Sequence, residues 1–191
     1  MKITLGLSGS DAEVDLLAVL VAEEDLAGDT LLNDLDEALS GTLRTAIKDD
    51  EFTGKRDATL AVMTYGKTPA RKVLLIGLGP AAKVTAIELR AAAAKASKVA
   101  NADKATKLHL ALRGKGDAAE LRAAAEGVSL GCYRFTKYLT GDRRPKKELE
   151  SVSLGLRGVK SVKATAEQKH AIAAGEAVAS AINLARDLVL T

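Results

Sequence analysis

Short apolar runs alternate with longer stretches of helical periodicity along most of this 191-residue chain. That alternation limits the fold more than any other feature, because strands separated by helices pack as a sheet with helices laid on it. Lys2 to Leu7 places Ile3, Leu5 and Leu7 on one side, which predicts a strand with one buried face. Leu16 to Ala22 is apolar throughout and reads as a buried strand. Leu31, Leu32, Leu35 and Leu39 recur at helical spacing, with Asp29 or Thr30 to cap that helix and Gly41 to end it. Ala58–Thr64 and Lys72–Ile76 are strand-like and flank the turn cluster Tyr65-Gly66-Lys67-Thr68-Pro69, which predicts a hairpin.

The second half continues the pattern. Val84–Asn101 is an alanine-rich helix, with Thr85 and Glu88 at capping-box spacing. Lys107–Leu112 alternates and predicts a strand. Asp117 to about Leu139 predicts a helix in which Gly127 and Gly131 lie one turn apart. Each glycine costs about 1 kcal/mol relative to alanine there, and close helix packing would offset that cost. Val152, Leu154 and Leu156 mark another strand. Thr165 and Gln168 open a last long helix with a small-residue stripe of Ala171, Gly175, Val178, Ile182, Ala185 and Val189. The expected architecture is an α/β layered domain, and the early hairpin makes its sheet mixed.

Composition narrows the function. Trp is absent and Phe plus Tyr total five, so base stacking on aromatic platforms is not expected as the main activity. Cys132 stands alone, which excludes an intrachain disulfide and any Cys-x-x-Cys site. His109 and His170 are far apart and form no His-Glu-x-x-His motif. No signal peptide or membrane-length apolar run is seen, so a cytoplasmic location is expected. Residues 1–51 hold 3 basic and 13 acidic side chains, whereas residues 52–191 hold 25 basic and 12 acidic. Arg134, Lys137, Arg143, Arg144, Lys146 and Lys147 concentrate the positive charge. Arg143, Arg144, Lys146 and Lys147 are therefore candidate anion or DNA contacts, although most charge runs are solvated loops.

Three further motifs bear on function. Gly77-Leu78-Gly79-Pro80-Ala81-Ala82 has the G-x-G-x-x-A pattern of a dinucleotide loop. Pro80 removes one backbone N–H, and the strand ending Ala111-Leu112-Arg113 offers no acid to a ribose, so a tight strand-to-helix turn is expected. Gly6-Leu7-Ser8-Gly9-Ser10 lacks the final glycine of a nucleophile elbow. Asp34, Asp36 and Glu37 share a leucine-bearing helix and read as its solvated face. The residues by themselves assemble no catalytic constellation.

Several segments, in order, resemble the amino-terminal domain of the leucyl (cytosol) aminopeptidase family. They are Glu51-Phe52-Thr53-Gly54-Lys55, Lys72 to Gly79, Leu89-Arg90-Ala91-Ala92, Glu126 to Phe135 and Asn183 to Val189. The resemblance covers essentially the whole chain. It departs where Asp57 stands in place of a frequent glycine, and where Leu190-Thr191 follows Val189 in place of Asn-Thr-Pro. It implies a macro-domain-like fold, a three-layer α/β/α sandwich with a mixed sheet, over residues 1–164 and a helix over 165–191 leading toward a catalytic domain absent from this chain. It also implies a parent enzyme that removes N-terminal residues from peptides with two divalent metals, zinc or manganese. No catalytic, metal or cofactor-binding residue of that enzyme falls on this sequence, so the chain alone is expected to be inactive. The implied partners are the catalytic domain and other copies in a homohexamer, with no membrane. The alternative is a binding module for DNA through residues 134–147, or for an ADP-ribose-type nucleotide through Gly77–Ala82.

Overall fold

The computed structural model describes residues 1–7, 13–114, 116–143, 147–157 and 163–189. Among these residues six strands form one sheet: β1 (Lys2–Leu7), β2 (Leu16–Ala22), β3 (Thr59–Met63), β4 (Lys72–Gly79), β5 (Lys107–Leu112) and β6 (Ser151–Leu156). Their order across the sheet is β1-β6-β5-β2-β4-β3. Every neighbouring pair is parallel except β3 with β4, which form the expected hairpin. The sheet is therefore mixed, with one antiparallel edge strand.

Among the described residues five α-helices cover both faces: α1 (Thr30–Ala38), α2 (Thr42–Asp49), α3 (Ala86–Ala102), α4 (Ala118–Gly131) and α5 (Ala166–Val189). Alternation along β2 sorts the two cores. Leu17, Val19 and Val21 point toward α1 and α2, where Leu31, Leu32, Leu35 and Leu43 meet them. Leu16, Ala18 and Leu20 point the other way, into the alanines of α3 and α4 and the start of α5. All seven residues of β2 are buried, because β2 is central in the sheet and covered on both faces.

Local signals explain most helix starts. Asp29 accepts from Leu32 N at 3.1 Å and caps α1. Thr85 and Glu88 form the capping box of α3, and Thr165 and Gln168 exchange bonds of 3.1 and 3.2 Å before α5. Helix α1 ends with Ser40 at φ +56°, and Gly41 N reaches back to Asp36 O at 2.9 Å. Gly41 then opens α2, a helix the leucine spacing did not predict.

Two boundaries differ from expectation. Helix α4 stops at Gly131 instead of near Leu139. Tyr133 leaves the helix and turns to α5, and Phe135 and Tyr138 pair edge to face with centroids 5.6 Å apart. The buried residues of α5 are Ala171, Ile172, Gly175 and Ala179, not the whole predicted stripe. Val178 and Ile182 are half-buried, and Ala185 and Val189 are exposed, because α4 is too short to cover the far half of α5.

The glycines in the helices act by closeness. A Cβ at Gly127 would overlap the Arg90 carbonyl oxygen, and one at Gly131 the Ala94 carbonyl oxygen. A Cβ at Gly175 would overlap the Arg122 carbonyl oxygen. Helices α3, α4 and α5 thus pack backbone to backbone, as the spacing of Gly127 and Gly131 predicted for the first pair.

Candidate functional site

The expected basic contacts are only partly in view. Arg143 and Lys147 are exposed, while Arg144 and Lys146 lie outside the described residues. Arg134, Lys137 and Tyr138 are also exposed, and Lys137 Nζ lies 5.9 Å from the Tyr138 ring centroid.

The Gly77–Ala82 loop is occupied by the protein itself. Gly77 N donates to Ala58 O at 2.8 Å, and Gly79 N donates to Gly54 O at 2.9 Å. Ala81 N donates to a Glu24 carboxylate oxygen at 2.8 Å. A Cβ at Gly77 would overlap the Lys55 carbonyl oxygen, so this glycine exists to let the 52–57 segment cross β4. Gly54 supports the crossing with φ +72° and lies against the backbone of Ala22 and Glu23. These amides are taken, and a carboxylate stands where a phosphate would need to sit.

The carboxyl ends of parallel strands are where α/β sheets usually hold ligands. Here two ion pairs fill that edge. Arg113, just past β5, grips Asp25 with two bonds of 2.7 and 3.0 Å, and Asp25 also accepts from Ala22 N at 3.0 Å. Burial pushes the Asp25 carboxyl up, but the Arg113 and Ala22 hydrogen bonds and the nearby guanidinium charges outweigh it and hold it below its usual value. Arg157, just past β6, donates to Asp29 at 2.5 Å and to the Leu20 carbonyl oxygen. Burial pushes Arg157 down, and Asp29 and Asp25 oppose it. Its Nε is buried without a partner among the described residues. Sequence reading missed this quartet, since its members come from four separate segments.

The single thiol and the histidines carry no chemistry together. Cys132 is raised by burial, so it stays a thiol. His109 is 3% exposed, faces the same side of the sheet as Ala111, and has no partner at Nε2 among the described residues. Burial lowers its pKa to about 4, so the ring is neutral. His170 is exposed on α5. Among the described residues no three His, Cys, Asp or Glu side chains are grouped so that they could hold a metal ion. No described helix is long and apolar enough to cross a membrane.

What the fold does assemble is a clamp on the far half of α5. The segments noted above as family-like meet in space. Arg90 of α3 pairs with the buried Glu126 of α4 at 2.8 Å. Asn183 of α5 donates to Ser129 O at 3.5 Å, and the Tyr133 hydroxyl donates to Asp187 at 2.7 Å. The Arg186 guanidinium lies 5.3 Å from the Tyr133 ring centroid. Polar residues therefore hold α5 down, while Leu184 (60%), Leu188 (71%) and Val189 (85%) stay exposed on it.

Comparisons with known proteins fit this geometry. The profile of the cytosol aminopeptidase family, N-terminal domain, matches residues 18–142. A protein of Alkaliphilus metalliredigens named probable cytosol aminopeptidase is 32% identical over 189 residues, covering 94% of this chain and 36% of the relative. One of the same name from Nostoc punctiforme is 33% identical over 180 residues, covering 92% and 34%. The chain thus spans about a third of the length of these curated relatives. A tomato leucine aminopeptidase mutant superposes with a TM-score of 0.81 over 98% of this chain and 38% of its own, at 24% identity, a likeness of fold. The bottromycin maturation enzyme BotP, solved in complex with Mn, superposes with a TM-score of 0.64 at 29% identity, over 93% of this chain and 32% of its own.

Proposed function

Because the chain belongs to the cytosol aminopeptidase family, as its N-terminal domain, we propose that its work is positional. Residues 1–164 form a folded body, macro-like in the sense of the resemblance, and 165–191 a helix that packs on the catalytic part of a family enzyme. Peptide hydrolysis with two divalent metals belongs to that other part, in the cytoplasm and within a homohexamer. The observation that carries the reading is the far end of α5. Its polar residues are spent on α4, and its apolar Leu184, Leu188 and Val189 face outward. Exposed apolar side chains grouped on a rigid helix are what a buried interface needs.

The test is co-elution of this chain with the separately produced catalytic part of a related cytosol aminopeptidase. The expected result is a complex that Leu188→Asp with Val189→Asp abolishes without lowering the melting temperature. A complex indifferent to both substitutions would overturn the reading.

A second reading, DNA contact, is favoured by the exposure of Arg134, Lys137, Arg143 and Lys147, with Lys137 beside the ring of Tyr138. It predicts a gel shift at low salt that fades with added salt and is lost on neutralising Arg143, Arg144, Lys146 and Lys147. A nucleotide reading finds less support, because the Gly77, Gly79 and Ala81 amides already have acceptors.

A further inference from the structure

Strand β1 closes one side of the sheet and has β6 as its neighbour. Lys2 lies opposite Ser151, and Lys2 N donates to Glu150 O at 2.8 Å. In a parallel ladder every second residue of a strand bonds to the neighbouring strand. Lys2, Thr4 and Gly6 therefore spend their N–H and C=O groups on β6. Those of Ile3 and Leu5 point away from the sheet, and no described residue meets them. Edge strands are usually blunted by shortness, a proline, a bulge or an inward-pointing charge. β1 uses none of these: it runs six residues without proline, and its register with β6 is unbroken. Its one charged side chain, Lys2, is exposed, as is Thr4. Ile3 and Leu5 are half-buried against the core beneath α3, α4 and α5, so an apolar rim runs beside the open backbone groups.

We propose that β1 takes up an extended segment of another protein as a further strand, and that this segment carries a lysine or arginine on the α5 side. The backbone row selects the kind of partner, since alternate N–H and C=O groups are answered by an extended chain and not by a helix or a nucleic acid. Glu176 selects the charge. It is half-buried on α5 and enters no hydrogen bond or ion pair among the described residues. Burial raises its carboxyl above the usual range, and the Met1 α-ammonium opposes this, which sets Glu176 near the start of β1. A sheltered carboxylate without an ion pair gains when a cation reaches it. Ile3 and Leu5 face the same side. The matching segment therefore alternates, with its cation and apolar residues on one face and polar residues on the other. The contact does not use Leu184, Leu188 or Val189, so it and the positional reading can each fail alone.

The test uses the full 191-residue chain and a probe peptide blocked at both ends, Lys-Thr-Val-Thr-Val-Thr-Lys, whose terminal lysines allow either strand direction. Amide hydrogen exchange is followed as the peptide is raised to millimolar concentration. The expected result is exchange at Ile3 and Leu5 slowed about tenfold or more at saturation, with α3 unchanged. The same peptide with glutamate for both lysines, or N-methylated at every residue, should give no protection. Glu176→Gln should keep its melting temperature and weaken the lysine peptide about fivefold or more. Absence of protection at Ile3 and Leu5 overturns the proposal, and so does equal protection by the glutamate peptide or protection indifferent to Glu176→Gln. Protection that appears without peptide and grows with protein concentration also overturns it, because the edge would then belong to a second copy.

Discussion

The Tyr133 hydroxyl donates a 2.7 Å hydrogen bond to Asp187 and so joins the end of α4 to the last turns of α5. Tyr133→Phe removes that bond and leaves the Arg186–ring contact in place. At this half-exposed site water competes for both partners, so the bond adds little to global stability. The expected effect is therefore local. Amide hydrogen exchange should quicken across residues 183–189 and stay unchanged in α3. Faster exchange in both helices would mean that Tyr133 supports the whole fold, not the direction of α5.

The glycine contacts predict larger, global losses. Gly127→Ala pushes a methyl group into the Arg90 carbonyl, and Gly131→Ala into that of Ala94. Alanine favours helix by about 1 kcal/mol, but backbone oxygens cannot yield as a side chain tip can. Each substitution should cost about 1–3 kcal/mol net, read as a lower urea midpoint with an unchanged slope. A gain in stability would show that α3 and α4 are not packed this closely.

Asp29→Asn isolates the charge on the Arg157 pair. Asparagine still accepts from Leu32 N and keeps the α1 cap. The Arg157 guanidinium, mostly buried, would lose its ionic partner. Leaving such a charge wholly unpaired costs about 3–5 kcal/mol, but the Leu20 carbonyl and the nearby Asp25 charge remain, so a smaller loss is expected in urea denaturation. Little or no loss would mean that Arg157 finds another partner or reaches solvent.

His109 sets a pH window. Its pKa falls from the ordinary 6.5 to about 4 on folding, because burial disfavours the charged ring. The unfolded chain therefore binds more protons between those values, and stability drops as pH falls through the window. The shift is worth up to about 3 kcal/mol. Urea midpoints from pH 7 to 4 should fall for the parent and stay flatter for His109→Leu. Asp25 acts lower: its folded value is depressed, so its contribution is complete above the usual carboxylate range and is lost as pH falls below it. Parallel curves for the parent and His109→Leu would exclude a buried neutral ring.

These cases show which parts of the molecule could be read ahead of the structure. All six strands, the Thr85 and Thr165 caps and the closeness at Gly127 were legible, because periodicity and capping are local signals. Helix α2 was not predicted, since Leu43 alone is buried in it and its other apolar contacts are alanine and isoleucine at its edge. The end of α4 was misjudged because Tyr133 is drawn out by Asp187, fifty-four residues away. The Asp25–Arg113 and Asp29–Arg157 pairs were invisible for the same reason: long-range pairs leave no spacing to read. The family-like segments were legible one by one, but not that Arg90 would meet Glu126 or Tyr133 meet Asp187.

The most direct test of the positional role is turnover of a leucyl chromogenic substrate by the 191-residue chain, with manganese or zinc added. The account predicts no turnover by the chain alone under either metal. Turnover at the level of a full-length family member would contradict it.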